Sequence, residues 1–191
     1  RGQLASDVPE DRRRQRARVH VRHAVRVRRD GRELEEEALI DTRGNEDGTE
    51  IDHVFLSPLA YAFPPVLESI ANADLIVLSP GDLYTSLIPN LLAQGVGEAI
   101  RSSRARLVYV TNLMTKPGET DGFTAERFVS EVNRYIGHNS RIDVVVVNST
   151  EFSERVQQRY LQLGARIVEY DLSRMKELVP WVVVRVSTCS W

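Results

Sequence analysis

The chain has 191 residues, 42% of them hydrophobic and 27% charged, with a net charge of −2. That length supports one domain with a substantial core, or a domain plus a small appendage, and the composition excludes a disordered chain. The near-neutral balance gives no general case for nucleic acid or membrane binding, and the single cysteine, Cys189, excludes an internal disulfide or a multi-cysteine zinc site.

Residues 1–17 are polar and Arg-rich, without a clear period. From Arg18 to Arg28 the pattern alternates strictly, with Val19, Val21, His23, Val25 and Val27 on one parity and mostly arginines on the other. A period of two predicts a half-buried strand. Asp30-Gly31 supplies a hairpin turn, and 32–40 returns as a more acidic strand whose Glu33, Glu35 and Glu37 are expected to face the arginines. A polar link, 41–50, leads to a strand at 51–56, so the division expected is an appendage over 1–50 and a main domain over 51–191.

Beyond residue 56 the pattern becomes one of alternating helices and apolar runs. Pro64-Pro65 opens a helix to about Ala73, with proline tolerated in a first turn. Asp-Leu-Ile-Val-Leu (74–78) reads as a buried parallel strand, followed by a helix that runs through about Ser102. Arg-Leu-Val-Tyr-Val-Thr-Asn (106–112) is a second such strand. Thr124 is the expected N-cap of a helix to Ile136, with Gly137 just past its end. Residues 142–148 make a third strand, Ser153 caps a helix ending near Gly164, and 165–170 make a fourth strand. This alternation predicts an α/β fold with a doubly wound, mostly parallel sheet and a small N-terminal β-hairpin region.

In such sheets ligands bind beyond the carboxyl ends of the strands. The first strand runs into Ser79-Pro-Gly-Asp-Leu-Tyr-Thr-Ser86 and then Leu-Ile-Pro-Asn90. Gly81 lets backbone approach a ligand, while Thr85 and Ser86 stand where a helix begins and amide groups favour anions; an ordinary capped turn is the competing reading. The second strand ends in Asn112, which can both donate and accept. A long loop rich in polar groups follows, carrying Thr115, Glu119, Thr120 and Asp121. Glu119 and Asp121 can orient hydroxyls or hold a metal, or Asp121-Gly122 can simply make a turn. Asn148 ends the third strand in the same plane.

Two of these stretches carry a family resemblance. Ala73-Asp-Leu-Ile-Val-Leu-Ser-Pro-Gly-Asp-Leu-Tyr-Thr-Ser-Leu-Ile-Pro-Asn-Leu-Leu92 and Tyr109-Val-Thr-Asn-Leu-Met-Thr-Lys-Pro-Gly-Glu-Thr-Asp-Gly-Phe-Thr124 are similar to segments of the gluconeogenesis-factor (YvcK-like) proteins. Those proteins go with the CofD-like 2-phospho-L-lactate transferases. The resemblance runs from about residue 51 to residue 171. It implies a Rossmann-like domain in the bacterial cytoplasm that binds a UDP-sugar such as UDP-N-acetylglucosamine and supports cell shape and growth on gluconeogenic carbon sources. The transferase branch instead moves phospholactate from a guanylyl nucleotide onto a deazaflavin precursor, and carries a Ser-Asn-Pro type of loop where this chain has Gly81-Asp-Leu-Tyr84. By the same resemblance, Tyr160 corresponds to a tyrosine beside the nucleotide sugar; helix packing is its other reading.

The chain also departs from the family. The N-terminal Gly-Gly-Gly-Thr-Gly phosphate loop and the following Asp-Asp-Gly segment are absent from it, as expected of a fragment, and the tail after Asp171 diverges. The family more often has glycine at Ser79 and serine at Asp82. An acid at Asp82 would repel a phosphate unless a cation intervenes, so Asp82 and Asp121 are the candidate ligands for a divalent cation such as magnesium.

Other signals carry less. Residues 12–32 hold ten arginines against one acid, Asp30, without aromatic residues for base stacking, so nucleic acid is not the expected partner. Their strand can instead dock a protein partner. There is no apolar run of the ~20 residues a membrane span needs. His20 and His23 fall on opposite faces of a strand, His53 and His138 stand alone, and no catalytic triad can be assembled. The expectation is therefore a binding protein for a nucleotide sugar or sugar phosphate, with catalytic residues unassigned and a homo-oligomer left open.

Overall fold

A computed structural model of the chain describes residues 24–28, 31, 33–34, 50–137 and 141–185. The Arg-rich segment 1–17, the start of the alternating run (18–23), most of the acidic strand and polar link (35–49), and His138 and Cys189 lie outside the described residues.

Three strands form an antiparallel sheet in the order β2-β1-β3: β1 (Ala24–Arg28), β2 (Glu33–Leu34) and β3 (Ile51–Leu56). The hairpin forms across Gly31, whose φ of 83° is in the left-handed region that glycine tolerates. Its register corrects one expectation. Glu33 pairs with Val27 and Leu34 with Arg26, so the first glutamate stands opposite a valine and not an arginine. Cross-strand partners share a sheet face, and the turn length fixes which residues meet. β3, on the far side of the expected division at residue 50, hydrogen-bonds along β1.

The main sheet is parallel, in the order β4-β5-β6-β7: β4 (Leu75–Leu78), β5 (Arg106–Val110), β6 (Val144–Asn148) and β7 (Trp181–Arg185). The cross-strand rows follow from the register. Leu78, Tyr109, Val145 and Val182 form one row, and Val77, Val108, Val144 and Trp181 form the next on the opposite face. The first row, with Leu107 and Val147, faces the core, where Leu107, Tyr109 and Val145 are fully buried. On the other face Val77 is 47% exposed and Trp181 63% exposed.

The helices are α1 (Pro64–Ala71), α2 (Ile88–Leu92), α3 (Val96–Ser102), α4 (Ala125–Ile136), α5 (Glu154–Gln162) and α6 (Leu172–Leu178). α4 is the central one. Ala125, Phe128, Val129, Val132 and Ile136 recur at helical spacing and are all buried. α4 packs against α2, α3 and α6, and α6 packs against β7. Phe128 meets Phe123 edge to face at 5.4 Å, and Phe123 meets Tyr84 in the same manner at 6.4 Å.

Two elements differ from the sequence pattern. The expected fourth strand at 165–170 is not in the sheet; only an antiparallel bridge between Ile167 and Met114 forms there. Gly164, with φ 77°, turns the chain, and the segment then bonds to the loop after β5: Thr115 N donates to Arg166 O and Val168 N to Leu113 O. With its ladder groups used on that loop, the place beside β6 goes to Trp181–Arg185, the apolar run near the end of the chain. The helix expected to continue through Ser102 breaks between α2 and α3. Gln94 pairs there with Tyr61, through Ala62 N to Gln94 O and Gln94 N to Ala60 O.

Thr124 and Ser153 stand at N-cap positions, as expected, but neither side chain accepts a cap hydrogen bond. Asp171 does so for α6, its carboxylate accepting from Ser173 N and Arg174 N. Among the described residues no helix is long and apolar enough to cross a membrane.

Candidate functional site

Because β4, β5 and β6 are parallel and adjacent, the loops after them leave from one rim of the sheet. Ser79, Asn112 and Asn148 therefore sit at neighbouring strand ends. Ser79 is exposed just past β4, and the chain then forms a π-type turn at Leu83–Leu87 that leads directly into α2. Ser86 N and Leu87 N both donate to Asp82 O, closing the turn. Gly81 leaves the backbone open, since a Cβ built there would meet only Ser86 Cβ, at 3.7 Å.

The loops after β4 and β5 are locked together by side chains. Asn112 Nδ2 donates to Gly81 O at 2.8 Å, which leaves its Oδ1 buried without a hydrogen-bond partner. Thr85 Oγ1 is buried and unpartnered in the same way. Lys116 Nζ stands 2.7 Å from Asp82 Oδ2 and 3.5 Å from Glu119 Oε2. Glu119, whose side chain is buried, accepts from Tyr84 N at 2.7 Å. Thr120 Oγ1 accepts from Lys116 N, and Asp121 Oδ2 from Gly118 N at 2.6 Å. Asn90 donates to Ser86 O across one helical turn.

The two candidate metal ligands thus have other engagements: Asp82 holds Lys116, and Asp121 closes its own turn. Among the described residues no group of three or more histidine, cysteine, aspartate or glutamate side chains gathers for a metal. Lys116, from the neighbouring loop, places a positive charge beside Asp82.

Tyr84 is buried, and its hydroxyl donates to Glu131 Oε1 on α4 at 2.8 Å. Burial pushes its ionisation well above the usual tyrosine range, and the Glu131 carboxylate adds to the shift, so the phenol keeps its proton. Burial does the same to Tyr109 beneath the sheet rim.

Asn148 lies to one side of this cluster. It lines a cleft of about 840 Å³ bounded by the loop after β6, including Phe152, and by residues 167–170. A smaller recess of about 200 Å³ adjoins it and shares Gln157, Ile167 and Glu169; Tyr160 lines this recess together with Arg166. Thr115 Oγ1 accepts from Arg166 N at 2.9 Å and joins that recess to the loop after β5. The structure thus joins the residues from Gly81 to Asp121 in one interlocked body, and places Asn148 and Tyr160 in the neighbouring cleft and recess.

Lys116, Glu131 and Arg166 were not among the residues singled out from the sequence. Lys116 carried a faint signal as one of only two lysines in an arginine-rich chain. Glu131 and Arg166 carried none, because their importance comes from where the fold brings them.

A family model described as 2-phospho-L-lactate transferase CofD matches residues 16–186. The chain belongs to the CofD family. Within it, the chain is 37% identical over 150 residues to the gluconeogenesis factor of Bacillus subtilis, covering 78% of this chain and 46% of that protein. It is 40% identical over 132 residues to the gluconeogenesis factor of Halalkalibacterium halodurans, covering 69% and 41%. A crystal structure of a UPF0052 family member from Bacillus halodurans superposes with a TM-score of 0.79 at 34% identity, covering 86% of this chain and 52% of that one. This member of the CofD family spans about half the length of the relatives it matches or less.

Proposed function

We propose that this chain forms part of a UDP-sugar-binding regulatory protein of the gluconeogenesis-factor type, acting in the bacterial cytoplasm in support of cell shape and of growth on gluconeogenic carbon sources. The observation that carries this reading is the cleft of about 840 Å³ beside the carboxyl ends of parallel strands. Its volume falls in the range of small-ligand sites, about 300–1,000 Å³, and its position is where open α/β sheets hold ligands. The interlocked loops from Gly81 to Asp121 support it as a rigid flank, and relatives named gluconeogenesis factor support the biological role. Calorimetry with UDP-N-acetylglucosamine on the full-length protein tests it: saturable binding is expected, and no heat at millimolar ligand removes the proposal.

The description of the matching family model favours a second reading, transfer of phospholactate from a guanylyl nucleotide onto a deazaflavin precursor. Incubation of the protein with both substrates and magnesium, followed by chromatography, tests it. Appearance of the phospholactyl product would replace the first reading with this one.

A further inference from the structure

We infer that α5 is the moving wall of the ligand site: it closes onto the bound nucleotide sugar and buries Leu161 as it does so. This rests on the nucleotide-sugar reading and deepens it. The cleft and the smaller recess lie side by side along one face of α5. Glu154 and Gln157 line the cleft, and Gln157, Tyr160 and Leu161 line the recess. Positions three and four residues apart fall on a single stripe of a helix. The two cavities therefore lie between α5 and the body of the molecule. In keeping with this, α5 buries none of its residues, and among the described residues no helix or strand packs along it. Leu161 is 55% exposed and Tyr160 39% exposed.

The opposite wall is fixed. Ile167 and Glu169 line both cavities, and their segment is tied to the body by its backbone. Thr115 N donates to Arg166 O, Val168 N to Leu113 O, and Ala125 N, at the start of α4, to Glu169 O. Ala165 and Val168 are buried. Between this wall and α5 the chain turns at Gly164, with φ 77°, where a Cβ would stand 3.1 Å from Pro117 Cγ. A glycine in the left-handed region, resting on the loop after β5, is thus the pivot at one end of α5. At the other end Ser153 accepts no cap hydrogen bond, and Gln157 Nε2 donates to Phe152 O inside the same segment. A helix anchored at one end above a cavity closes when a ligand supplies the contacts its inner face lacks. Closure takes Tyr160 and Leu161 from water onto the ligand and towards Met114 and Ile167 across the recess, which gains the apolar burial that the open form forgoes.

The test is hydrogen–deuterium exchange of the full-length protein with and without saturating UDP-N-acetylglucosamine, together with calorimetric titration of the native form, Leu161→Asn and Leu163→Asn. Both leucines are exposed, so their replacement leaves the core intact. Leu163, 65% exposed, lines neither cavity and serves as the control. The amides of residues 158–162 are expected to exchange quickly in the free protein and about tenfold or more slowly with ligand bound. Leu161→Asn is expected to weaken binding by about tenfold, the scale of one buried leucine side chain, and Leu163→Asn to leave it within about twofold. Ligand binding that leaves exchange over 158–162 unchanged overturns the inference while the nucleotide-sugar reading stands. Slow exchange there before ligand is added overturns it too, because α5 then packs against the rest of the full-length chain. So does a Leu161→Asn variant that binds as well as the native form, or a Leu163→Asn variant weakened as much as Leu161→Asn. Absence of binding to the native protein removes the parent reading instead.

Discussion

Lys116→Met isolates the junction between the loops after β4 and β5. The lysine is close to two carboxylates of unequal exposure: the Asp82 side chain is 44% exposed and that of Glu119 is 1% exposed. The exposed pair contributes less than about 1 kcal/mol, because water and salt screen it. The buried carboxylate dominates. At the 3.5 Å separation from Lys116, attraction between unit charges in an effective dielectric of 20 is about 5 kcal/mol, an upper bound. Lys116 is itself 27% exposed, so water enters when it is removed and takes over part of that role. We expect Lys116→Met to destabilise the chain by about 2–3 kcal/mol in urea unfolding monitored by circular dichroism. Lys116→Met combined with Glu119→Gln keeps an acceptor for Tyr84 N and discharges the buried group, and should recover most of that loss. A single-variant loss below about 0.5 kcal/mol, or a double variant no more stable than the single one, would refute the reasoning.

Two further outcomes follow from side chains already described. Tyr84 and Tyr109 have ionisation pushed above the ordinary tyrosine value of about 10. Their contribution to stability is present in full below pH 10 and is lost as pH rises beyond it, because the unfolded chain ionises first. Each should steepen the fall in unfolding free energy by about 1.4 kcal/mol per pH unit above that point; urea midpoints between pH 9 and 11.5 check this, and a flat profile contradicts it. Asp171→Ala removes the cap of α6 and should cost about 1 kcal/mol, read as a lower thermal midpoint, whereas Ser153→Ala at the uncapped start of α5 should change little.

Much of the fold could be read from local pattern. The α4 stripe of Phe128, Val129, Val132 and Ile136 and the apolar runs of β4, β5 and β6 obey short-range periods, and each formed close to where the spacing put it. Residues 165–170 have a strand-like composition, but whether a strand joins a sheet depends on which backbone groups it meets, and these met the loop at 113–115. The rim of strand ends at Ser79, Asn112 and Asn148 followed from topology alone. Its chemistry did not. Asp82 and Lys116 are 34 residues apart in sequence and Tyr84 and Glu131 are 47 apart. No pattern along the chain announces such a pairing, which is why Asp82 reads from the sequence as a candidate cation ligand and Glu131 is not singled out at all.

The contacts of Glu131 also tie distant parts of the molecule into one mechanical unit. Its carboxylate accepts from Tyr84 on the loop after β4 and from Arg134, which also donates to Asp52 O on β3; one turn away, Tyr135 accepts from Val54 N. A displacement of the loop after β4 is therefore relayed through a single turn of helix to the edge of the antiparallel sheet. The amide protons of Tyr84 and Val54 should exchange with deuterium in step, and loosening either one should loosen the other.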